Sequence, residues 1–589
     1  MSFIQQCRRG TWSADLLGLV LIMVLLFGLF LGSRPLSVPD EARYAEIPRE
    51  MLALHDFVTP HLNGVKYLEK PPLFYWTQAA SIKLFSLTSG KNEHSEAVED
   101  LVLPVKSISE WVVRLPNACI ALLDCLFLYG AARLLFDRQT GLVSSIVLAT
   151  SLLYFALARM VTLDMCLSVC LSGSLLAFLV AVNFPPGSKR RYLCYVAYSF
   201  SALAVLTKGL VGIVFPVVII GLWILLTYQW RLLKQIYLPS GILLFLLIVV
   251  PWHILVQHKN PEFFQFYFVD QQFLRYATLI ARRYKPSWFF IPVLIAGFLP
   301  WIVFLLQAIV GNFPTTQQQL QEKSTSVFLL LWIMVIFIFF SFSHSKLIPY
   351  ILPIFPALAL LTGNYLSTHF TQRSLGIKWG IIALPFTWLV LGILGILWLL
   401  FYPSADLPRS GIPFVIAGYS VFLLTSVVAT FFYKKYGVKA TFILLVLGSA
   451  ISFIIFSTGI PQIDTRSIKP FVQILKPLLQ PHDKITSYKH YYQDLPFYLN
   501  HRVLTVDVTD ELNFGMQHQD TASWMLPAAR FWSLWHSRQR VFMITDKASY
   551  QSLKEKQIYL IASTPHDVLL SNQFTWKKKQ IGLTQKDSP

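Results

Sequence analysis

Long apolar runs separated by short polar stretches dominate the chain as far as residue 459, and beyond that point the pattern changes. A bilayer core about 30 Å thick takes about 20 apolar residues per helix, because lipid offers no partner to an unpaired backbone group. On that length the pattern predicts about thirteen spans. They are Leu16–Leu31, Trp111–Leu135, Gly141–Ala158, Asp164–Asn183, Tyr192–Leu206, Leu210–Tyr228, Ser240–Val256, Trp288–Val310, Val327–Phe342, Tyr350–Leu366, Trp379–Phe401, Gly411–Tyr433 and Ala440–Gly459. From Ile460 to Pro589 the chain is polar. There the runs Lys484–Tyr488, Arg502–Val506, Val541–Thr545 and Ile558–Ala562 read as strands alternating with helical stretches. The expected organisation is a polytopic α-helical membrane domain, 1–459, with a long first outer loop over 32–110, followed by an α/β domain, 460–589. A loop of that length usually carries function.

Composition and charge sharpen this picture. Of 589 residues, 55% are hydrophobic and 13% charged, about half the charged share of a soluble domain. The net charge of +19 comes largely from lysines and arginines in short loops, so it reads as a topology signal and not as a nucleic-acid surface. Arg8/Arg9, Arg133/Arg138, Lys189/Arg190/Arg191, Arg231/Lys234, Lys323, Arg373/Lys378 and Lys434/Lys435/Lys439 fall on alternate loops, which puts the N-terminus inside and the tail outside. The run after Arg8 and Arg9 has no small-residue cleavage site, so a retained first helix is expected. All six cysteines lie in or near apolar segments, which argues against a disulfide framework or a CxxC metal knuckle.

With this topology Asp40, Glu41, Glu69, Lys70, Asp164, Lys208, Arg275 and Lys346 all fall near the outer face. Charges at that depth are costly and normally face a cavity or a partner, and the cations among them break the positive-inside trend; an anionic ligand would compensate them. Two motifs stand out in the first loop. In Val38-Pro39-Asp40-Glu41-Ala42-Arg43-Tyr44 a shielded carboxylate could serve as a general base, although an Asp-Glu pair also caps helices. In Tyr67-Leu68-Glu69-Lys70-Pro71-Pro72-Leu73-Phe74-Tyr75-Trp76 the prolines stop any preceding helix and the aromatics suit a membrane interface, so an interfacial anchor is the plainer alternative. Lys208 and Lys346 each follow a span and could instead snorkel to the headgroups. Arg282, Arg283 and Lys285 form a basic patch suited to anionic lipid or simply to water.

Together the two loop motifs resemble the bacterial branch of the protein O-mannosyltransferase superfamily, C-type (GT-C) glycosyltransferases, and within it most closely the lipid A aminoarabinose transferases. The resemblance continues through Ala158-Arg159-Met160-Val161-Thr162-Leu163-Asp164, Leu206-Thr207-Lys208-Gly209, Phe298-Leu299-Pro300-Trp301 and Ser345-Lys346-Leu347-Ile348-Pro349-Tyr350-Ile351-Leu352-Pro353. It implies a GT-C fold of about 13 spans in the bacterial inner membrane, with a periplasmic site and a periplasmic C-terminal α/β domain. It also implies inverting transfer of a sugar from undecaprenyl phosphate to lipid A or another envelope glycolipid, with protein as the alternative acceptor. Asp40 would be the base and Asp164 a second carboxylate. Lys70, Arg275 and Tyr350, with Lys208 and Lys346 beside them, would hold the carrier phosphate, and Glu41, Arg43, Tyr67 and Arg159 would orient acceptor or sugar. Glu69 would hold a divalent metal, zinc or magnesium/manganese, opposite a histidine; Gln272 stands where that histidine is expected, and Gln is a poor zinc ligand. His253, His258 and His344 are substitutes on the same side. No nucleotide or organic cofactor, no nucleic-acid partner and a monomer in lipid are expected.

A transporter or flippase would also show many spans and boundary charges, but the broken midplane helices and repeated halves typical of transporters are not evident in the sequence. A membrane scaffold with a binding tail would not depend on Asp40 or Lys70.

Overall fold

A computed structural model of the chain describes residues 12–86, 108–274, 284–370, 375–401, 410–508, 511–553 and 557–574. Each of the predicted apolar stretches carries helix. Among the described residues seven helices are long and apolar enough to cross a membrane, or nine when each of two bent pairs counts as one span; Trp12–Gly28 (α1) and Val211–Thr227 are shorter apolar helices.

Burial separates the inner helices from the outer. Leu163–Asn183 is 94% buried, whereas Leu238–Lys259 and Leu375–Leu397 are only 22% buried, so the first is the bundle's centre and the other two present leucine and isoleucine faces to lipid. Gly363 lies against Ser144 so closely that an added Cβ would sit 2.2 Å from its Oγ, the close backbone approach that small residues permit in membranes.

Two spans are broken. Arg138–Ala149 and Leu152–Ala158 meet at 69°, and Ser287–Gly297 and Ile302–Asn312 at 110°. The breaks bond to each other: Leu152 N donates to the Leu299 carbonyl at 3.2 Å and Trp301 Nε1 donates to Thr150 Oγ1 at 3.0 Å. Polar groups freed by each break are thereby satisfied inside protein, as lipid requires. This explains the Phe298-Leu299-Pro300-Trp301 motif as a packed hinge. The last two apolar stretches form two helices within Ile412–Ile463, parted at Gly437 with φ +78, a conformation open to glycine. Gly418 then faces Phe456, Gly448 faces Thr425 and Gly459 faces Phe414, so the two halves run antiparallel as a helical hairpin.

The first loop folds into helix Asp40–Leu54 (α2), a small hairpin of His61–Leu62 (β1) and Val65–Lys66 (β2), and helix Leu73–Ser86 (α3). The C-terminal region is a mixed sheet of β3 (Lys484–Tyr488), β4 (Leu504–Val506), β5 (Met525–Leu526), β6 (Val541–Asp546), β7 (Tyr559–Ser563) and β8 (Asp567–Ser571), in the order β5-β4-β3-β6-β8-β7. β3 runs parallel to β4 and β6, and β8 runs antiparallel to β6 and β7. The four predicted strand runs are all present; β5 and β8 are additional. This region is seated on the loop: Asn63 exchanges side-chain bonds with the Val503 backbone at 3.0 Å in each direction, Gln519 bridges Gly64 and Lys66, and Leu36 N donates to Tyr498 Oη at 2.8 Å. At the opposite end of the bundle Asp15 binds Arg133 and Arg138 at 2.9 and 2.6 Å.

Candidate functional site

The Asp40 motif is helix α2, entered directly from Pro39 with no side-chain cap, so Asp40 is the first helical residue and not a cap. Asp40 is 52% exposed and lies 3.3 Å from Arg43 Nη1. Arg43 is buried, and its Nη2 binds Glu511 of the C-terminal region at 2.6 Å. One turn of helix therefore ties an accessible carboxylate to a group more than 450 residues later in the chain.

Tyr44 marks where the acidic side chains converge. Burial pushes its phenol up, and the negative charges of Asp40, Asp164 and Glu69 push it further against the pull of Arg43. Its ring packs edge-on to Phe74 and tilted against Tyr75 at centroid distances of 6.0 and 6.2 Å. The α3 motif is thus docked on α2 by the aromatics that read in the sequence as an interface anchor. Tyr67 Oη, Tyr75 Oη and Arg43 Nε are buried and meet no acceptor or donor among the described residues, which leaves polar capacity in this wall.

Asp164, at the first turn of Leu163–Asn183 with Thr162 as its N-cap, carries the site onward. Its carboxylate binds the Lys208 ammonium, which lies 4.2 Å from the Tyr350 ring centroid. Lys208 ends helix Ser188–Lys208, and Gly209 behind it has φ +91. A Cβ at Gly209 would sit 2.5 Å from Tyr267 Oη and 2.7 Å from Gln272 Nε2, so both conformation and space require glycine here.

Lys70, Lys208, Gln271, Gln272 and Tyr350 line one cavity of about 500 Å³. Its remaining wall is largely apolar, with Leu210, Val211, Val214, Leu274, Phe339 and Phe340, and Ser343 and Ser345 complete it. Two ammonium groups at the head of an apolar chamber can take an anion carried on a hydrocarbon chain. The helix leading to Arg275, Gln265–Leu274, is a π-helix, a wide turn common at functional sites; Arg275 itself, like Arg282 and Arg283, lies outside the described residues.

Other predicted site residues are placed elsewhere. Glu41 is fully buried and accepts from Arg34 at 2.5 Å, Arg114 at 2.9 and 3.0 Å, Ser37 N at 2.9 Å and Val161 N at 2.9 Å. Burial raises the pKa of its carboxyl, but Arg34 and Arg114 overcome that and hold it at about 2. Every lone pair is taken, so Glu41 is a structural tie and has no reach to an acceptor. Arg159 lines a second cavity and donates to the Leu26 and Phe27 carbonyls at 3.1 Å. The Lys346 ammonium donates to the Lys285 and Ser343 carbonyls. It stands behind the wall that Ser343 and Ser345 form and does not line the cavity. Tyr67 is buried beside Arg43 and Glu69.

The metal expectation meets a poor donor set. Among the described residues no three His, Cys, Asp or Glu side chains gather. His253 is enclosed by the Trp252, Phe263, Tyr267 and Phe268 rings with its Nδ1 2.8 Å from the Val249 carbonyl. Gln272, where the resemblance implies a histidine, is a poor zinc ligand.

Comparison with known proteins agrees with this geometry. Residues 69–255 match the model of the dolichyl-phosphate-mannose-protein mannosyltransferase family, and residues 471–572 that of the aminoarabinose transferase C-terminal domain. The crystal structure of ArnT from Cupriavidus metallidurans bound to undecaprenyl phosphate superimposes with a TM-score of 0.79 at 27% identity, covering 96% of this chain and 99% of that one. Its apo state gives a TM-score of 0.77. The chain is ArnT-like over nearly its whole length. Among curated relatives, an undecaprenyl phosphate-alpha-4-amino-4-deoxy-L-arabinose arabinosyl transferase of Sodalis glossinidius is 32% identical over 60% of this chain, and one of Proteus mirabilis is 29% identical over 59%. Those alignments span 60% and 58% of the relatives' own lengths. In the ArnT-like chain Glu69, Lys70, Asp164 and Lys208 fall inside the first matched model and Glu511 inside the second. Sequence reasoning missed Tyr44 as the meeting point and Glu511 altogether. Tyr44 follows Arg43 within the motif, whereas nothing local marks Glu511, one acid on a polar tail.

Proposed function

We propose that the chain is an inverting glycosyltransferase that moves an aminoarabinose-type sugar from undecaprenyl phosphate to lipid A or a related envelope glycolipid, at the outer face of the bacterial inner membrane. The observation that carries this reading is the cavity lined by Lys70, Lys208 and Tyr350, with Asp164 bonded to Lys208 and the charges of Asp40, Asp164 and Glu69 all felt at Tyr44. The names of the relatives supply the donor sugar.

The carrier's hydrocarbon occupies the apolar part of the cavity, with its phosphate at Lys70 and Lys208. Asp40 takes the proton from the acceptor hydroxyl as that oxygen attacks the anomeric carbon. The bond from that carbon to the phosphate oxygen breaks on the opposite face, inverting the centre, and undecaprenyl phosphate leaves with the electron pair. Its growing negative charge is met by ammonium groups already fixed in place, Lys208 by Asp164 and the Tyr350 ring, so little reorganisation is needed. Arg43, held by Glu511, pairs with Asp40 one helical turn away and fixes its carboxylate.

Purified protein in lipid vesicles, supplied with undecaprenyl phosphate-aminoarabinose and lipid A, is expected to form the substituted lipid A and release undecaprenyl phosphate. Lys70→Met and Lys208→Met are expected to lower the rate about 100-fold or more. Unchanged transfer by both variants would remove the phosphate site from the proposal.

A further inference from the structure

A second cavity, of about 470 Å³, opens beside the ends of α1 and the helical hairpin. Its walls are Phe155, Phe453, Phe456 and Ile460, with Phe155 and Phe453 stacked at 4.7 Å, and its polar end holds Ser33, Arg34 and Arg159. Glu41 turns away from it into its ties with Arg34 and Arg114, and Asp464 accepts from Ser37 Oγ at 2.8 Å.

Arg159 is the unusual member. It is 7% exposed, and among the described residues no carboxylate pairs with it. Nη1 reaches the Leu26 and Phe27 carbonyls and the guanidinium lies 5.2 Å from the Phe155 ring centroid, while among the described residues Nε and Nη2 meet no acceptor. The like charges of Arg34 and Arg114 lie close by. A guanidinium at membrane depth with half of its fork unused is costly unless an anion meets it, and planar bidentate donors suit phosphate. Apolar walls on the other side of the same cavity suit a hydrocarbon tail.

We propose that this second cavity binds a phosphate-bearing membrane lipid, its phosphate on Arg159 and its hydrocarbon against Phe155, Phe453 and Phe456. The site is separate from the Lys70–Lys208 cavity and does not depend on the transfer reaction.

Native mass spectrometry of the full-length protein, released from detergent with phosphatidylglycerol added, tests this. One retained phosphatidylglycerol is expected on the wild type and on Lys70→Met, which alters the other cavity only. Arg159→Met is expected to weaken retention at least tenfold, and Ala156→Phe, which fills the cavity and leaves every arginine in place, to abolish it. Phosphatidylcholine, whose cation offsets its phosphate, is expected to be held at least tenfold more weakly, and equimolar inorganic phosphate not to compete. Retention unchanged in Ala156→Phe, loss in Lys70→Met, equal retention of phosphatidylcholine or displacement by inorganic phosphate would each overturn the proposal. Should Arg159→Met fail to fold, Ala156→Phe carries the test alone.

Discussion

The Lys208 ammonium is bonded to the Asp164 carboxylate, and it lies 4.2 Å from the centre of the Tyr350 ring. One residue from each of three separated segments thereby sets the position of a cation at the head of an apolar cavity.

If Asp164 acts by aiming Lys208, Asp164→Asn keeps the cation and loses its aim. The expected result is a fall in kcat of about 10- to 100-fold with a smaller change in donor KM. Steady-state kinetics on reconstituted protein separate the two. A pure KM effect would mean that Asp164 contacts the substrate in the ground state instead.

Arg43 and Glu511 join the loop to the C-terminal region through side chains that are 8% and 13% exposed. Breaking a buried pair from one side costs about 3–5 kcal/mol, less here because Arg43 keeps Asp40. Glu511→Met should therefore lower the thermal midpoint and transfer together, and the double variant Arg43→Met/Glu511→Met should be more stable than Glu511→Met alone. A double variant less stable than the single one would show that the pair's charge is not what joins them.

Asp40 and Glu41 are neighbours with opposite tasks. Asp40→Asn should leave expression and thermal stability near wild type, whereas Glu41→Gln leaves two buried guanidiniums short of an anion and should cost about 3–5 kcal/mol. Melting curves of the two purified variants distinguish them, and equal stability would contradict the assignment of Glu41 as a tie.

The C-terminal region carries its own pH response. Burial pushes the Asp494 carboxyl up to about 7, although Ser467 and Ile468 donate to it. The folded state therefore binds a proton that the unfolded chain has released. Its contribution to stability is full below the usual carboxylate value near 3.8 and is lost as pH rises through about 7. Stability measured from pH 4 to 8 should fall across that window, and Asp494→Asn should flatten the slope; a slope unchanged by the substitution would refute the role of Asp494.

Much of this was legible in the sequence because lipid imposes a simple rule. Apolar length marks helices, and the span expected over Asp164–Asn183 is the helix Leu163–Asn183; that it is the bundle's centre shows only in its burial. The Asp40, Glu69, Lys70, Asp164 and Lys208 motifs converge, because charges at membrane depth have few places to go. What the sequence hid were directions. Asp40 and Glu41 are adjacent, yet a helix turns them about 100° apart, so one faces the site and the other faces Arg34 and Arg114. Arg159 sits five residues before Asp164, in the break that follows Ala158, and it lines a different cavity. Lys346 follows a span as a snorkelling lysine would, but its ammonium is spent on two carbonyls. The hairpin at Gly437 was foreshadowed by the split between two apolar runs, while β8, Asp567–Ser571, has no alternating pattern because it is buried on both faces.

The most direct test of the central claim is mass spectrometry of lipid A from cells lacking the chromosomal copy and carrying either wild-type protein or Asp40→Asn at equal membrane abundance. The account predicts aminoarabinose-substituted lipid A with the wild type and none with Asp40→Asn. Substituted lipid A at wild-type levels with Asp40→Asn, or none with either protein, would contradict it.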